Sequence, residues 1–525
     1  MSVVSRDRWL WAILAFAILL RLIGLNEPLI DQQAWRQTDT AAIARNFSEE
    51  GYELFHPRVD WRGDTAGYVE MNFPLFPYLT ALVYGVAGES HEWIGRLLAA
   101  ICSTLSVGFL YLLVARAFDH TTARLASLLY AMLPLSWFFG RAFMPEALMM
   151  ALSLGGLLAM QRWLDRGGQA RFVLAVVTAA LCFMVKIPTL YLGFPLLGLV
   201  WQRYGWRLFS QPALWLYAVL VLAPTFAWYG HAAGLFAETG LTFGIWGRDG
   251  YDKWDRTLLT TAPFYASMLG RFVWAVATPP GFLLALAGTW LLFRQRLQAP
   301  QAAYVLWWIG ALVLYLFLVP EGNRKLHYYQ LPFTPVLALM MAVTLVNWLR
   351  HGPGSQRWRQ GAVVAAILSI TACATSVVAE YHHPENNVYE YYRSCLAAGS
   401  VLDRALPASA RLVVGDLDEN AAAPHRAQNP SLLYYTHRKG WQITPSQFSV
   451  DLLDLLQTRG ATHFLTATQF AQQSPAFWQE LLRRGVSTPG AYPRRVHTHK
   501  GWLHQARAES GENRHFIVVA LGPID

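Results

Sequence analysis

Apolar residues in this chain gather in long runs, and short polar breaks separate those runs through the first 380 residues. The runs fall at 9–25, 94–115, 125–139, 147–163, 172–185, 187–202, 213–230, 271–293, 302–319, 330–349 and 360–379. A helix needs about 20 largely apolar residues to cross a bilayer core, so the pattern predicts an α-helical polytopic membrane protein of about eleven transmembrane helices. The first run is followed by "RLIGLNEPLID", which offers arginine and proline where a cleavage site needs small residues. It reads as a retained helix.

The pattern changes near residue 380. Short β-rich stretches ("RLVVG", "LLYYT", "THFLT", "HFIVVAL") there alternate with amphipathic ones such as "FSVDLLDLLQTRG" and "PAFWQELLRRG". This predicts a transmembrane domain at 1–380 and a small soluble α/β domain at 381–525. Two connections, 26–92 and 231–270, far exceed an ordinary helix–helix link of about 2–8 residues and are expected to shape a site. Within the first, "WRQTDTAAIARNF" has no glycine or proline, and its alanines with Ile43 and Phe47 can share a helix with polar residues. It is expected to lie along the membrane interface, polar side toward a loop cavity.

Composition agrees: 54% of the 525 residues are hydrophobic and 14% charged, and the mean hydropathy is +0.27. With the N-terminus in the cytoplasm, Arg6, Arg8, Arg116, Arg124, Arg162, Arg166, Arg171, Arg203, Arg207, Arg294, Arg296, Arg350, Arg357 and Arg359 all fall on the inner face. Segment 26–92, with eleven acidic residues against four arginines, then lies outside, as does the tail. This asymmetry accounts for the net charge of +9 without a nucleic-acid partner. The four cysteines suggest no disulfide framework.

Polar groups at the predicted outer face carry the candidate chemistry, because ionisable residues at membrane depth usually line a cavity or pair. Asp31 and Asp39 follow the first helix, with Arg36 and Gln37 between them. Glu70 precedes the bend expected at Pro74 and Pro77, and Arg141 and Glu146 flank Pro145 at another outer mouth. Lys186 interrupts nearly thirty mostly apolar positions, where an uncompensated lysine costs about 2.5–3.5 kcal/mol. "EGNRKLHYYQLPF" adds Arg324, Lys325, His327 and Tyr328. Carboxylates can accept a hydroxyl proton or bind a metal, and cations can hold a phosphate leaving group.

The order of "RLIGLNEPL", "WRQTDTAAIARNF", "EMNFPLFPYL", "RAFMPEALMM", "VKIPTLYLGFPLL" and "KLHYYQLPF" resembles the family 39 glycosyltransferases of the GT-C class over roughly residues 8–350. That resemblance implies an inverting transferase that moves a sugar from a polyprenyl-phosphate donor to a hydroxyl on a lipid, glycan or protein. It implies a bacterial inner-membrane enzyme whose active site and C-terminal domain face outward, in contact with membrane lipids. The family's acid after the first helix falls on Asp31, with Asp39 beside it when the match is made from "IAR"; Glu70 matches the acid before the proline turn. Glu146 and Lys186 match an acid after proline and a lysine associated with lipid phosphate. Some members bind a divalent metal and others do not; Glu70 and His327 are the candidate ligands. A sugar-lipid transporter and a non-catalytic envelope scaffold are the competing readings.

Overall fold

Prolines mark some of the breaks in the long apolar runs, although Pro224 lies inside the unbroken helix Pro212–Thr239. In the computed structural model, residues 7–247, 253–294, 303–385, 387–415, 430–487, 495–497, 507–509 and 516–521 are described. Among the described residues, five helices are long and apolar enough to cross a membrane: Glu92–Ala117, Glu146–Arg166, Pro212–Thr239, His327–His351 and Gln356–His382. A sixth candidate is a pair, Ala262–Val276 and Pro279–Arg294, bent by 105°. Thr278 sits at that bend with φ of 66° and two prolines follow it, so the helical ladder has no amide hydrogen to continue on. The other predicted runs are also helical, though shorter: Arg8–Leu22, His120–Met132 with Pro134–Phe138, Gln169–Val185, Gly193–Tyr204 and Ala303–Leu318. The protein is therefore a polytopic helical membrane protein. One apolar helix, Leu75–Ala87, falls outside the predicted runs.

By internal contacts the chain forms two units. The first comprises Met1–Asn26, Trp93–His231 and Asp252–Tyr381. It buries whole arginines, and each donates to groups of the same unit. Arg21 donates to Ser103 Oγ (2.6 Å), the Ala17 carbonyl (2.9 Å) and Ser136 Oγ (3.1 Å). Arg96 and Arg141 both donate to the Gly24 carbonyl, at 2.8 and 3.1 Å, which fixes the exit from the first helix. A buried cation is tolerated only with such partners.

The second unit comprises Glu27–Glu92, Ala232–Tyr251 and His382–Asp525. Its strands are β1 (Arg411–Gly415), β2 (Lys439–Ile443), β3 (His463–Ala467), β4 (Val486–Ser487), β5 (Arg495–His497), β6 (Arg507–Glu509) and β7 (Phe516–Ala520). The main sheet runs β2-β1-β3-β7-β4, parallel across β2, β1 and β3 and antiparallel at β7 and β4. Val413, Phe464 and Val519 on the sheet pack with Leu453, Leu456, Phe477 and Leu481 from two helices. β2 holds part of the 26–92 segment: the Gly63 amide donates to the Gly440 carbonyl (2.7 Å) and the Gly440 amide to the Asp60 carbonyl (3.0 Å).

Helix Ala34–Glu50 corrects one expectation. It does not lie with a polar face open to a cavity; thirteen of its seventeen residues are buried. Several of its polar groups are met from within the unit instead. Arg45 pairs with Asp60 (2.5 Å) and donates to the Tyr434 carbonyl (3.1 Å), Asn46 reaches Asp60 (2.9 Å), and Thr38 approaches Ser431 (3.4 Å). A buried network of this kind is stable only when its members are satisfied.

Candidate functional site

In the second unit, the turn before helix Ala34–Glu50 sets the first carboxylate. Gln33 adopts a left-handed conformation (φ 65°) and its amide donates to the Tyr389 hydroxyl at 2.9 Å. The same hydroxyl donates to Gln32 Oε1, also at 2.9 Å. Burial pushes the Tyr389 pKa up, so it remains a donor. Gln37, one turn into the helix, donates to Asp31 Oδ1 (2.5 Å) and to the Gln32 carbonyl (2.9 Å). Asp31, only 2% exposed, is thereby fixed by its own helix while a tail residue holds the next two positions.

Asp31 also meets Glu27 and His382; one ligand atom from each lies within 4.8 Å of the others. His382 Nδ1 is 3.0 Å from Glu27 Oε2. One imidazole and two carboxylates suit a divalent cation. Neither Glu70 nor His327, the ligands expected from sequence, belongs to this group.

Asp39 is 1% exposed. Its Oδ1 accepts from Trp61 Nε1 at 2.9 Å, and among the described residues its Oδ2 has no hydrogen-bond partner. Burial pushes its pKa up to about 8, against the Trp61 hydrogen bond and the charge of Arg36, with Asp60 adding to the rise. The Arg36 guanidinium lies over the Phe243 ring, 4.8 Å from its centre. Glu70 is fully buried and ties two segments together: its backbone bridges Leu241 and Phe243, and Thr242 donates to its Oε2 at 2.5 Å.

The first unit holds the cation set. Lys186 caps the C-terminus of helix Gln169–Val185, where Pro188 forces the break, and its Nζ lies 2.5 Å from Glu146 Oε1. Glu146 opens helix Glu146–Arg166 directly after Pro145. The ammonium also sits over the rings of Tyr328 and Tyr329, 4.4 and 4.7 Å from their centres. It faces a small opening lined also by Tyr191, Tyr315 and Thr189.

The other basic residues expected at the site in this unit are paired or packed within it. Arg324 makes two bonds to Glu321 (2.6 and 2.7 Å), and Lys325 lies 3.2 Å from the same carboxylate. His327 Nδ1 is 3.1 Å from the Tyr381 hydroxyl, and Arg141 stacks on Phe138 besides its bond to Gly24. Sequence reasoning passed over Glu27, Trp61, Glu321, His382 and Tyr389. Glu27 and His382 stand 355 positions apart, so no local spacing joins them; Glu321, three residues before Arg324, was the one readable omission.

The fold of the chain has solved counterparts. ArnT from Cupriavidus metallidurans in the apo state is 14% identical, with 98% of each chain covered and a TM-score of 0.63. The same protein bound to undecaprenyl phosphate gives 0.62 at the same identity and coverage. The Archaeoglobus fulgidus oligosaccharyltransferase in complex with Zn and sulfate is 14% identical over 89% of this chain and 69% of its own, with a TM-score of 0.55. The chain therefore shares the fold of these membrane proteins. In sequence, residues 72–230 match the family model described as dolichyl-phosphate-mannose-protein mannosyltransferase. No curated protein matches the chain.

Proposed function

We propose that this protein is an inverting glycosyltransferase of the family 39 type, which moves a sugar from a polyprenyl-phosphate donor to a hydroxyl on a lipid, glycan or protein acceptor. The observation that carries this reading is a lysine held at a helix break beside a tyrosine-lined opening, in a chain that shares the fold of ArnT. The acceptor oxygen attacks the anomeric carbon from the face opposite the phosphate while the bond from that carbon to the phosphate oxygen breaks. Lys186 compensates the charge that develops on the departing polyprenyl phosphate. A carboxylate of the second unit, Asp31 or Asp39, takes the hydroxyl proton. Arg324 and Lys325, which share Glu321, provide further positive charge, and Glu146 sets the position of the Lys186 ammonium.

The same reading places the chain in a bacterial inner membrane with eleven crossings, a cytoplasmic N-terminus, a catalytic domain at 1–380 and an outward domain at 381–525. The arginines between the apolar runs support that orientation. The test is transfer of a labelled sugar by the purified chain from a panel of synthetic polyprenyl-phosphate sugars. Turnover that falls by about 10²–10³ in Lys186→Ala supports the reading. Absence of transfer with every donor, or unchanged turnover in that variant, overturns it and leaves the transporter or scaffold.

A further inference from the structure

Glu27, Asp31 and His382 supply three ligand atoms to one spot in the second unit. Glu27 and Asp31 are brought round by the turn at Pro28, closed by the Ile30 amide on the Pro28 carbonyl (2.8 Å). His382 is the last residue of helix Gln356–His382. The cluster offers two carboxylates and one imidazole, a donor set suited to a divalent cation, and Asp31 is almost wholly buried. Bonds of about 2.0–2.2 Å in tetrahedral geometry set ligand atoms roughly 3.4 Å apart. The His382–Glu27 contact of 3.0 Å is already near that spacing, and the third donor lies within 4.8 Å.

We infer that Glu27, Asp31 and His382 form a binding site for one first-row divalent cation of the Zn²⁺ or Mn²⁺ kind. Three protein ligands leave a fourth position open to an oxygen ligand. The site joins residue 382 to the segment that carries Asp31, so its occupancy adds a second hold on Asp31 beside Gln37. A carboxylate that shares a cation is a poor proton acceptor, and the base of the transfer is then Asp39. This last step rests on the transferase reading; the binding does not.

The binding test uses the full chain in detergent, stripped with chelator and titrated with ZnCl₂ or MnCl₂, without any sugar donor. Metal content after gel filtration and competition with a chromophoric chelator give stoichiometry and affinity; Co²⁺ gives a visible spectrum. About one cation per chain, with affinity at least ~10-fold weaker in Glu27→Gln and in His382→Ala and unchanged in Glu70→Gln, is the expected result. Thermal unfolding of the stripped variants shows whether they fold, and Glu27→Gln serves if His382→Ala does not. No saturable uptake, or equal uptake by wild type and both variants, overturns the site. In the transfer assay, excess cation is expected to restore Glu27→Gln and not Asp39→Asn. Wild-type turnover in Asp39→Asn would overturn the assignment of the base while leaving the metal measurement intact.

Discussion

Lys186 and Glu146 form a pair that is costly to break at one end and cheap to replace whole. Lys186→Met leaves a buried carboxylate without its cation, a loss of about 3–5 kcal/mol, whereas Lys186→Met with Glu146→Gln should recover most of it. Thermal unfolding of the three proteins in one detergent checks this; equal losses in the single and double variants would show the pair to be uncoupled. Asp39 gives a pH signature. Its folded pKa, about 8, is above that of an exposed aspartate, so the folded state holds the extra proton. Its contribution to stability is full below pH ~4 and is lost as pH rises through about 8. Asp39→Asn is therefore expected to gain stability relative to wild type between pH 5 and pH 9. If Asp39 is the base, the wild-type rate rises toward pH 8 over the same range. Lys186 itself was legible in the sequence, because a charge amid apolar residues demands an explanation. The Asp39 environment was not, since its partner Trp61 and its burial arise only when residues 58–63 fold back.

Among the elements, the membrane helices were readable from run length, and some of their breaks from proline. The bend at Thr278 and the short helix at Leu75–Ala87 were harder, because hydropathy averages over a turn and a thirteen-residue apolar helix resembles an interrupted loop. Helix Ala34–Glu50 was placed on the right residues and in the wrong setting. Its composition is polar enough to suggest solvent, and only the tail's Tyr434 carbonyl, Ser431 and the Asp60 carboxylate make burial affordable. β2 depends on a residue with no side chain. A Cβ at Gly440 would fall 1.9 Å from the Leu412 carbonyl oxygen, so Gly440→Ala should separate β1 from β2 at a cost above ~1–3 kcal/mol. Faster proteolysis within 411–443 than in wild type would report it; an unchanged digestion pattern would show that the strands can shift to accept the methyl.

At the scale of the whole molecule, the second unit is assembled from three stretches of chain, and hydropathy does not reveal that grouping. Glu50 illustrates it: its carboxylate takes both guanidinium nitrogens of Arg62 (2.7 and 3.0 Å) and also pairs with Lys439 of β2. A chain ending after residue 381 keeps the apolar helices and loses the groups that cover helix Ala34–Glu50. Hydrogen exchange at residues 34–50 is expected to rise to loop-like rates in that truncation while the helix Glu92–Ala117 stays protected. Retained protection at 34–50 would mean that the loop folds on its own.

The Gln33 amide finds its acceptor 356 positions later, on Tyr389. On a ribosome that interval means the segment carrying Gln33 is delivered long before the residue that completes its turn exists. It waits half-made, with charged side chains its finished core will enclose, through the insertion of every later helix. Such a protein matures from its last portion backward: an interrupted product can sit in the bilayer yet never close the turn at Gln32 and Gln33.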